Sequence, residues 1–187
     1  VQDGTVSEAR IDASARRILL VKFRLGLFDD PFVDEDEAER IVGNPEFRAA
    51  GTSAQARSVT VLENRDAILP LFRGGPRRVY AENVADAAIA SYGERVQRPE
   101  EADLAIVRLG APFEPRDDLF LEKWFHQGSL EFPPGLVTRL RRIADHAPLV
   151  VIVNLDRPAI LTPFVPFASA IAVEFGSSDE AVLAALS

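Results

Sequence analysis

Short apolar runs alternate with helical patterns along most of this chain, and the alternation limits the folds that it can adopt. The two clearest runs, 103–109 and 149–155, consist mostly of aliphatic residues, as is typical of strands buried in a parallel sheet. Further strands are expected at 59–62, 77–81 and 170–175, and helices at 84–92 (with Gly93 closing it), 136–146 and 178–186. Alternating strands and helices predict βαβ units. We therefore expect residues 45–187 to form a three-layer α/β sandwich with a mainly parallel sheet.

The first 44 residues have a different pattern. Residues 13–25 predict an amphipathic helix, with Asp12 as its N-cap and Gly26 at its end. Its apolar stripe is formed by Ile11, Ala15, Ile18, Leu19 and Phe23. Nothing adjacent in sequence is an obvious partner for that stripe. Residues 27–44, with an acidic run, are interpreted as a linker, and Asn44-Pro45 predicts the start of a further helix that runs to about Ser58.

The composition excludes several classes of site. The 187 residues carry a net charge of −8, which does not favour nucleic acid as a partner. The chain has no cysteine and two well-separated histidines, so we expect no disulfide and no metal site. It has no glycine-rich phosphate loop, so no cofactor is expected. We also expect no membrane association, because no apolar run reaches the roughly 18 residues of a membrane span. The sequence does not indicate the cellular compartment of the protein.

The alternation fails in residues 110–135, which follow a predicted strand and contain several prolines and aromatic residues. Long connections at the carboxyl ends of parallel strands often carry function. Three carboxylates are candidates there: Glu114, Glu122 and Glu131. The alternative interpretation of each is a surface carboxylate. Trp124 is suited to stacking on a ligand or to core packing, and His126 to a hydrogen bond with a ligand or to a structural hydrogen bond.

Three strings then carry a resemblance to a known family. Residues 10–28, RIDASARRILLVKFRLGLF, resemble the closing helix of the barrel in family 3 glycoside hydrolases. The strings AQARSVTVLEN (54–64) and LPL (69–71) resemble the passage of that family into its second domain. The resemblance is strongest over residues 4–71 and continues through DLAIVRL (103–109) and NLDRPA (154–159).

The resemblance implies a domain organisation. The family joins a (β/α)8 barrel to a six-stranded α/β sandwich, with the active site between them. Residues 1–26 would then be the terminal helix of a barrel that is otherwise missing, 27–44 a linker, and 45–187 a sandwich domain that is incomplete at its C-terminus. The chain also has no methionine and begins in polar sequence that leads into a helix. We therefore expect it to be a segment of a longer protein.

The resemblance also implies a function. The chain would be part of an exo-acting β-glucosidase or β-xylosidase, and its partners would be the missing (β/α)8 barrel and an oligosaccharide or aryl glycoside. The nucleophilic aspartate would lie in the barrel, so the isolated chain is expected to be inactive. The alternative is a non-catalytic α/β module for binding or assembly.

The acid/base glutamate would come from the sandwich domain, and here the candidates are Glu114 and then Glu122. The string APFEPR (111–116) is similar to the family's "PY-x-E" segment, although Glu114 follows its aromatic residue directly. Glu122 precedes an aromatic string that would exclude water. Glu131 is less favoured, because it adjoins Phe132-Pro-Pro and would cap the next helix. Trp124 and His126 would bind the substrate.

Overall fold

The computed structural model describes residues 4–75, 77–118 and 120–187 of the chain. It divides into two compact units that are separated in sequence after Pro45. The first unit contains helices α1 (Glu8–Arg24) and α2 (Glu35–Ile41). The second contains the helices α3 (Pro45–Ser58), α4 (Asp86–Ala90), α5 (Pro134–Ala144) and α6 (Asp179–Leu186), and the strands β1 (Thr60–Asn64), β2 (Arg77–Glu82), β3 (Gly93–Val96), β4 (Leu104–Gly110), β5 (Leu149–Asn154) and β6 (Ala170–Glu174).

Helix α1 begins five residues earlier than its apolar stripe predicts. Its N-cap is Ser7, whose hydroxyl accepts a hydrogen bond from the backbone N–H of Arg10 at 3.3 Å. The prediction of Asp12 as N-cap is therefore wrong, because the better placed Ser7 starts the helix more than one turn earlier. The predicted end is confirmed: Gly26 follows the helix with φ +72°, a conformation that glycine adopts readily.

The apolar side chains of α1 are largely exposed. Ile18 and Phe23 are each 60% accessible, and Leu19 is 45% accessible. The predicted linker, in turn, contains α2, whose first turn is capped by the carboxylate of Asp34. The acidic run thus lies in a short helix rather than in extended chain. Among the described residues, no helix is both long and apolar enough to cross a membrane.

The second unit is built on a six-stranded sheet with the order β1-β6-β5-β4-β2-β3. All neighbouring strands are parallel except β1, which pairs antiparallel with β6 at one edge. The central strands β4 and β5 pair from Ala105–Leu149 to Gly110–Asn154. Their carboxyl ends therefore lie side by side, and the chain segments that follow them start from the same edge of the sheet.

Helices cover both faces of this sheet. On one face, Ile106 and Ile152 pack in a core with residues of α4 and α6. On the other face, Val107 and Val151 pack in a second core with residues of α5. The alternation of side chains along each strand thus feeds two separate hydrophobic cores. The prediction of a three-layer α/β sandwich with a mainly parallel sheet is confirmed.

One predicted helix is wrong at its end. Residues 84–92 were expected to be helical and to end at Gly93, but α4 covers only Asp86–Ala90 and Gly93 begins β3. Gly93 is paired with Arg77 of β2. A Cβ atom added at Gly93 would lie 2.9 Å from the backbone nitrogen of Arg77 and closer still to its carbonyl oxygen. The glycine therefore marks a close approach of two backbones and not the end of a helix.

A buried charge network ties the carboxyl ends of the central strands together. Arg108 of β4 donates through Nη2 to Oε1 of Glu174 in β6 at 2.8 Å, and its Nη1 is paired with Asp179 at the start of α6. The Glu174 side chain is completely buried and also accepts from the backbone N–H of Ser177 at 2.6 Å. Burial acts to raise the pKa of Glu174. The hydrogen bonds from Arg108, the Ser177 N–H and Asn154 outweigh that effect, so its pKa lies below its ordinary value.

We predict that Gly93→Ala destabilises the chain by about 1–3 kcal/mol, because the new methyl group overlaps the Arg77 backbone. The control is Gly51→Ala in α3, where a Cβ atom meets nothing within 4 Å. That change should stabilise by about 0.5–1 kcal/mol, as alanine is the better helix former. Urea unfolding of both variants measures the difference. Equal stability of the two variants would contradict the close approach.

We further predict that Glu174→Gln lowers the free energy of unfolding at pH 7 by about 1–3 kcal/mol, since it weakens a buried charged hydrogen bond. A lowered folded-state pKa gives stability that is complete above the unfolded value of about 4.3 and is lost as the pH falls through the folded value. The difference between variant and wild type should therefore shrink below about pH 4.

The measurement is urea unfolding of the chain at a series of pH values from 7 to 3. Glu180→Gln is the control, because Glu180 is an exposed carboxylate in the first turn of α6, next to Asp179 of the charge network. This control should change the free energy of unfolding by no more than about 0.5 kcal/mol. A constant difference between Glu174→Gln and wild type across this pH range would refute the assigned role of the Glu174 charge.

Candidate functional site

The winding of the sheet reverses between β2 and β4. From β2 the chain passes through α4 to β3 on one side, and from β4 it passes through α5 to β5 on the other side. Because these connections lie on opposite faces, the segments after β2 and β4 diverge and leave a crevice at the carboxyl edge. A cavity of about 630 Å³ lies there. It is lined by Asn83, Leu109, Gly110, Ala111, Pro112, Phe113, Glu114, Ser129, Glu131, Phe132, Pro133, Pro134 and Leu136.

Asn83 closes the floor of this crevice. It follows β2 directly and has a positive φ of 56°, a conformation that asparagine tolerates better than most residues. Its side-chain nitrogen donates to the carbonyl oxygen of Arg108 in β4 at 2.8 Å. The two strand ends that diverge into the crevice are thus joined at its base.

Two of the predicted carboxylates line the cavity. Glu114 lies four residues beyond the end of β4, and its backbone N–H donates to the carbonyl oxygen of Gln127 at 2.8 Å. Glu131 lies at the other end of the same loop, where its backbone N–H donates to the hydroxyl of Ser129 at 3.1 Å. Glu131 does not cap α5: the N-cap position of that helix is Pro133. Both ends of the loop therefore contribute a glutamate to the cavity lining.

Glu122 and Trp124 lie elsewhere, at the tip of the loop. They form the ends of a single 3-10 turn, and neither lines the cavity. Trp124 is 71% exposed, and the ammonium group of Lys123 lies 5.3 Å from the centre of its ring. Phe120 in the same tip is 77% exposed. Trp124 is therefore not a core residue, and its ring is accessible for stacking on a ligand or a partner.

Arg116 and Asp118 form an ion pair between the cavity and this tip. The hydrogen bond from Arg116 holds the pKa of the Asp118 carboxyl below its ordinary value, against a smaller opposing effect of burial. Both side chains are about half exposed, so the pair contributes little to the stability of the loop.

His126 is held on two sides. Its Nδ1 atom is paired with a carboxylate oxygen of Asp156, just beyond β5. Its ring is stacked on that of Phe113, with the ring centres 3.9 Å apart and the planes 9° apart. Because Asp156 engages Nδ1, Nε2 is the nitrogen left to meet a sugar hydroxyl. The structure thus gives His126 a structural contact and leaves a binding role open.

Sequence reasoning missed Asp156, although it placed a family-like turn at 154–159. Little in the sequence indicates the contact of Asp156 with His126, because the two residues are 30 positions apart along the chain. The neighbouring Arg157 has a structural contact: its Nη2 donates to the carbonyl oxygen of Gly128 at 2.9 Å.

Chemically, the arrangement offers carboxylates at a crevice, an aromatic pair beside them and exposed aromatic rings at the loop tip. The carboxylates are groups that can transfer a proton to or from a bound ligand, and the aromatic rings offer it an apolar face. Within the described part of the chain, no group of three or more His, Asp or Glu side chains is placed to hold a metal ion.

Curated relatives match almost the whole chain. The β-glucosidase C of Emericella nidulans is 44% identical over 185 residues, which cover 98% of this chain and 30% of the relative. The periplasmic β-glucosidase/β-xylosidase of Dickeya chrysanthemi is 39% identical over 188 residues, which cover 98% of this chain and 28% of the relative. The chain thus spans less than a third of the length of these relatives. The aligned part includes the loop that carries Glu114.

No protein-family model matches the chain. Among solved structures, the β-glucosidase of Listeria innocua in complex with gluconolactone superimposes with a TM-score of 0.74 at 17% identity. The superposition covers 98% of this chain and 31% of that one. At this identity the likeness shows the fold alone. Sequence and structure comparisons therefore agree: nearly all of this chain is similar to a part of β-glucosidases.

Proposed function

We propose that this chain is part of a family 3 glycoside hydrolase, an exo-acting β-glucosidase or β-xylosidase. It supplies the acid/base loop to an active site that it shares with a (β/α)8 barrel domain. The observation that carries the proposal is the 39–44% identity to β-glucosidases across 98% of the chain. The Dickeya relative's name also includes β-xylosidase, which supports the wider choice of sugar.

Two features support a second domain. The chain spans about 30% of its relatives' length, which leaves room in such proteins for a barrel. Helix α1 exposes Ile18 and Phe23, and an apolar stripe of this kind needs a covering surface. Residues 1–26 would then be the terminal helix of the barrel, with 27–44 as the link to the sandwich domain.

Hydrolysis with retention requires two carboxyl groups about 5–5.5 Å apart, one as nucleophile and one as acid and base. In this proposal the barrel supplies the nucleophile, for which we assign no residue of this chain. Glu114 is the first candidate for the acid/base, because it lines the cavity at the reversal of the sheet. Glu122 is the second candidate and would act only if the loop tip faced the sugar.

The substrate contacts follow from the same loop. Trp124 offers an exposed aromatic face on which the apolar face of a sugar ring would stack. His126 would donate or accept through Nε2 to a sugar hydroxyl, while Asp156 fixes the other ring nitrogen. The substrate would be an oligosaccharide or an aryl glycoside.

We predict that the 187-residue chain alone hydrolyses neither aryl β-glucoside nor aryl β-xyloside, since one of the two required carboxyl groups is absent. The protein that joins the chain to its barrel should hydrolyse at least one of them. Release of the aryl alcohol measures both. Full activity of the chain without the barrel would disprove the shared site, and inactivity of the joined protein on both substrates would favour a non-catalytic module.

We also predict the effect of removing the acid in the joined protein. Glu114→Ala should lower kcat/KM about 10²–10⁴-fold for glycosides with poor leaving groups, and far less for activated aryl glycosides, which need no protonation. Azide should restore turnover of the activated substrate and give the β-glycosyl azide, because no negative charge then repels the anion.

Glu122→Ala is the competing variant and Asp117→Ala the control, since Asp117 is an exposed carboxylate of the same loop. If Glu122→Ala alone shows the leaving-group dependence and azide product, Glu122 is the acid/base. If neither glutamate variant shows them, the acid/base is neither Glu114 nor Glu122, and Glu131→Ala decides whether it lies in this loop at all.

A further inference from the structure

Two stretches of the active-site loop lie side by side and form what we call the clasp, residues 113–114 and 126–128. The backbone N–H of Glu114 donates to the carbonyl oxygen of Gln127 at 2.8 Å. The ring of His126 stacks on that of Phe113 with a separation of 3.9 Å. A loop of more than 20 residues is thus pinned at its base, close to the cavity, while its tip remains exposed.

The clasp is fastened to the sheet by two consecutive residues beyond β5. Asp156 pairs with Nδ1 of His126, and Arg157 donates to the carbonyl oxygen of Gly128 at 2.9 Å. β5 is paired with β4 as far as Gly110–Asn154. The residues that fasten the clasp therefore follow one strand, and Glu114 follows its neighbour, so the β4–β5 ladder fixes the two strand ends from which these segments start.

The side chain of Glu114 lies directly over Gly128. This glycine has φ +81°, and a Cβ atom added to it would lie 2.6 Å from the Cβ atom of Glu114. The carboxylate therefore occupies space that exists only because residue 128 has no side chain. Any displacement of Gly128 moves the surface on which Glu114 rests.

We propose that Asp156, acting through His126, and Arg157, acting through Gly128, are positioning residues that fix where the carboxylate of Glu114 lies in the cavity. The inference rests on the proposed function, in which Glu114 is the acid/base. It assigns His126 a second role besides contact with the sugar. Positioning of this kind has a large effect on rate, because an error of about 1 Å in a reacting group can cost about a hundredfold.

The first test measures the clasp without any activity. In the 187-residue chain, Asp156→Ala and His126→Ala should each speed the exchange of the Glu114 amide proton about tenfold or more, because its hydrogen bond opens more often. The amides of β5 serve as the internal reference and should keep their protection. Asp156→Asn retains an acceptor for Nδ1–H and should stay close to wild type. NMR of the ¹⁵N-labelled chain resolves each amide.

Both side chains of the Asp156–His126 pair are more than 40% exposed, so their replacement should not unfold the core. The matched control is Asp118→Ala, which removes the partner of Arg116 in the same loop without touching the clasp. It should leave the exchange of the Glu114 amide unchanged. Equal exchange at Glu114 in wild type, Asp156→Ala and His126→Ala would overturn the proposal.

The second test uses the protein joined to its barrel. Asp156→Ala should lower kcat about a hundredfold for poor leaving groups, with less effect on activated aryl glycosides and on KM, and Asp156→Asn should recover most of the loss. If Asp156 were merely structural, Asp156→Ala would lower kcat equally for both classes of glycoside, and that result would refute positioning. If the wild-type joined protein is inactive, the proposed function fails, and amide exchange alone decides whether the clasp fixes Glu114.

Discussion

The reversal of winding between β2 and β4 is the constraint on which the rest of the structure depends. One connection leaves across each face, so the carboxyl ends of these two strands have no helix between them. The crevice that results is bridged at its base by Asn83 and bordered by the loop that follows Gly110. A polar site can exist there because, along β4 and β5, one hydrophobic core ends at Ile106 and Ile152 and the other at Leu109 and Val153.

At the carboxyl edge of the sheet, a charge network lies on the face that α4 and α6 cover, and the loop lies on the other face. Along β4, Arg108 points to the α4–α6 side, where Glu174 and Asp179 neutralise it, while its neighbours Val107 and Leu109 belong to the opposite core. A buried ion cluster is a weak source of net stability but a strong determinant of geometry, since every alternative leaves a charge unpaired. We infer that this ion cluster fixes the position of β4 relative to β6 along the strand direction. It thereby also fixes the point from which the loop starts.

The sequence specifies the central strands well and the edge poorly, for physical reasons. β4 and β5 are buried on both faces, so their apolar runs identify them without further information. β3 has the sequence Gly-Glu-Arg-Val, is short and lies at an edge of the sheet. The strongest structural indication in this sequence is its glycine, which equally suits the end of a helix. That Glu114 lies at the carboxyl edge of the sheet could be predicted from its place after a strand. The role of Asp156 could not, because its contact with His126 exists only once β4 and β5 are in register.

The loop combines a fixed base with an exposed tip, and this division bears on how a partner would use it. At the base, the clasp holds Glu114 by backbone and side-chain contacts within the sandwich domain. At the tip, Phe120 and Trp124 expose most of their aromatic surface, which is unfavourable unless a ligand or another protein surface covers it. In the proposed function, the acid/base must already be in place when the substrate binds, because catalysis depends on its orientation. The contacts of this loop thus favour a carboxylate preset by the sandwich domain and an aromatic surface that is ordered by what it binds.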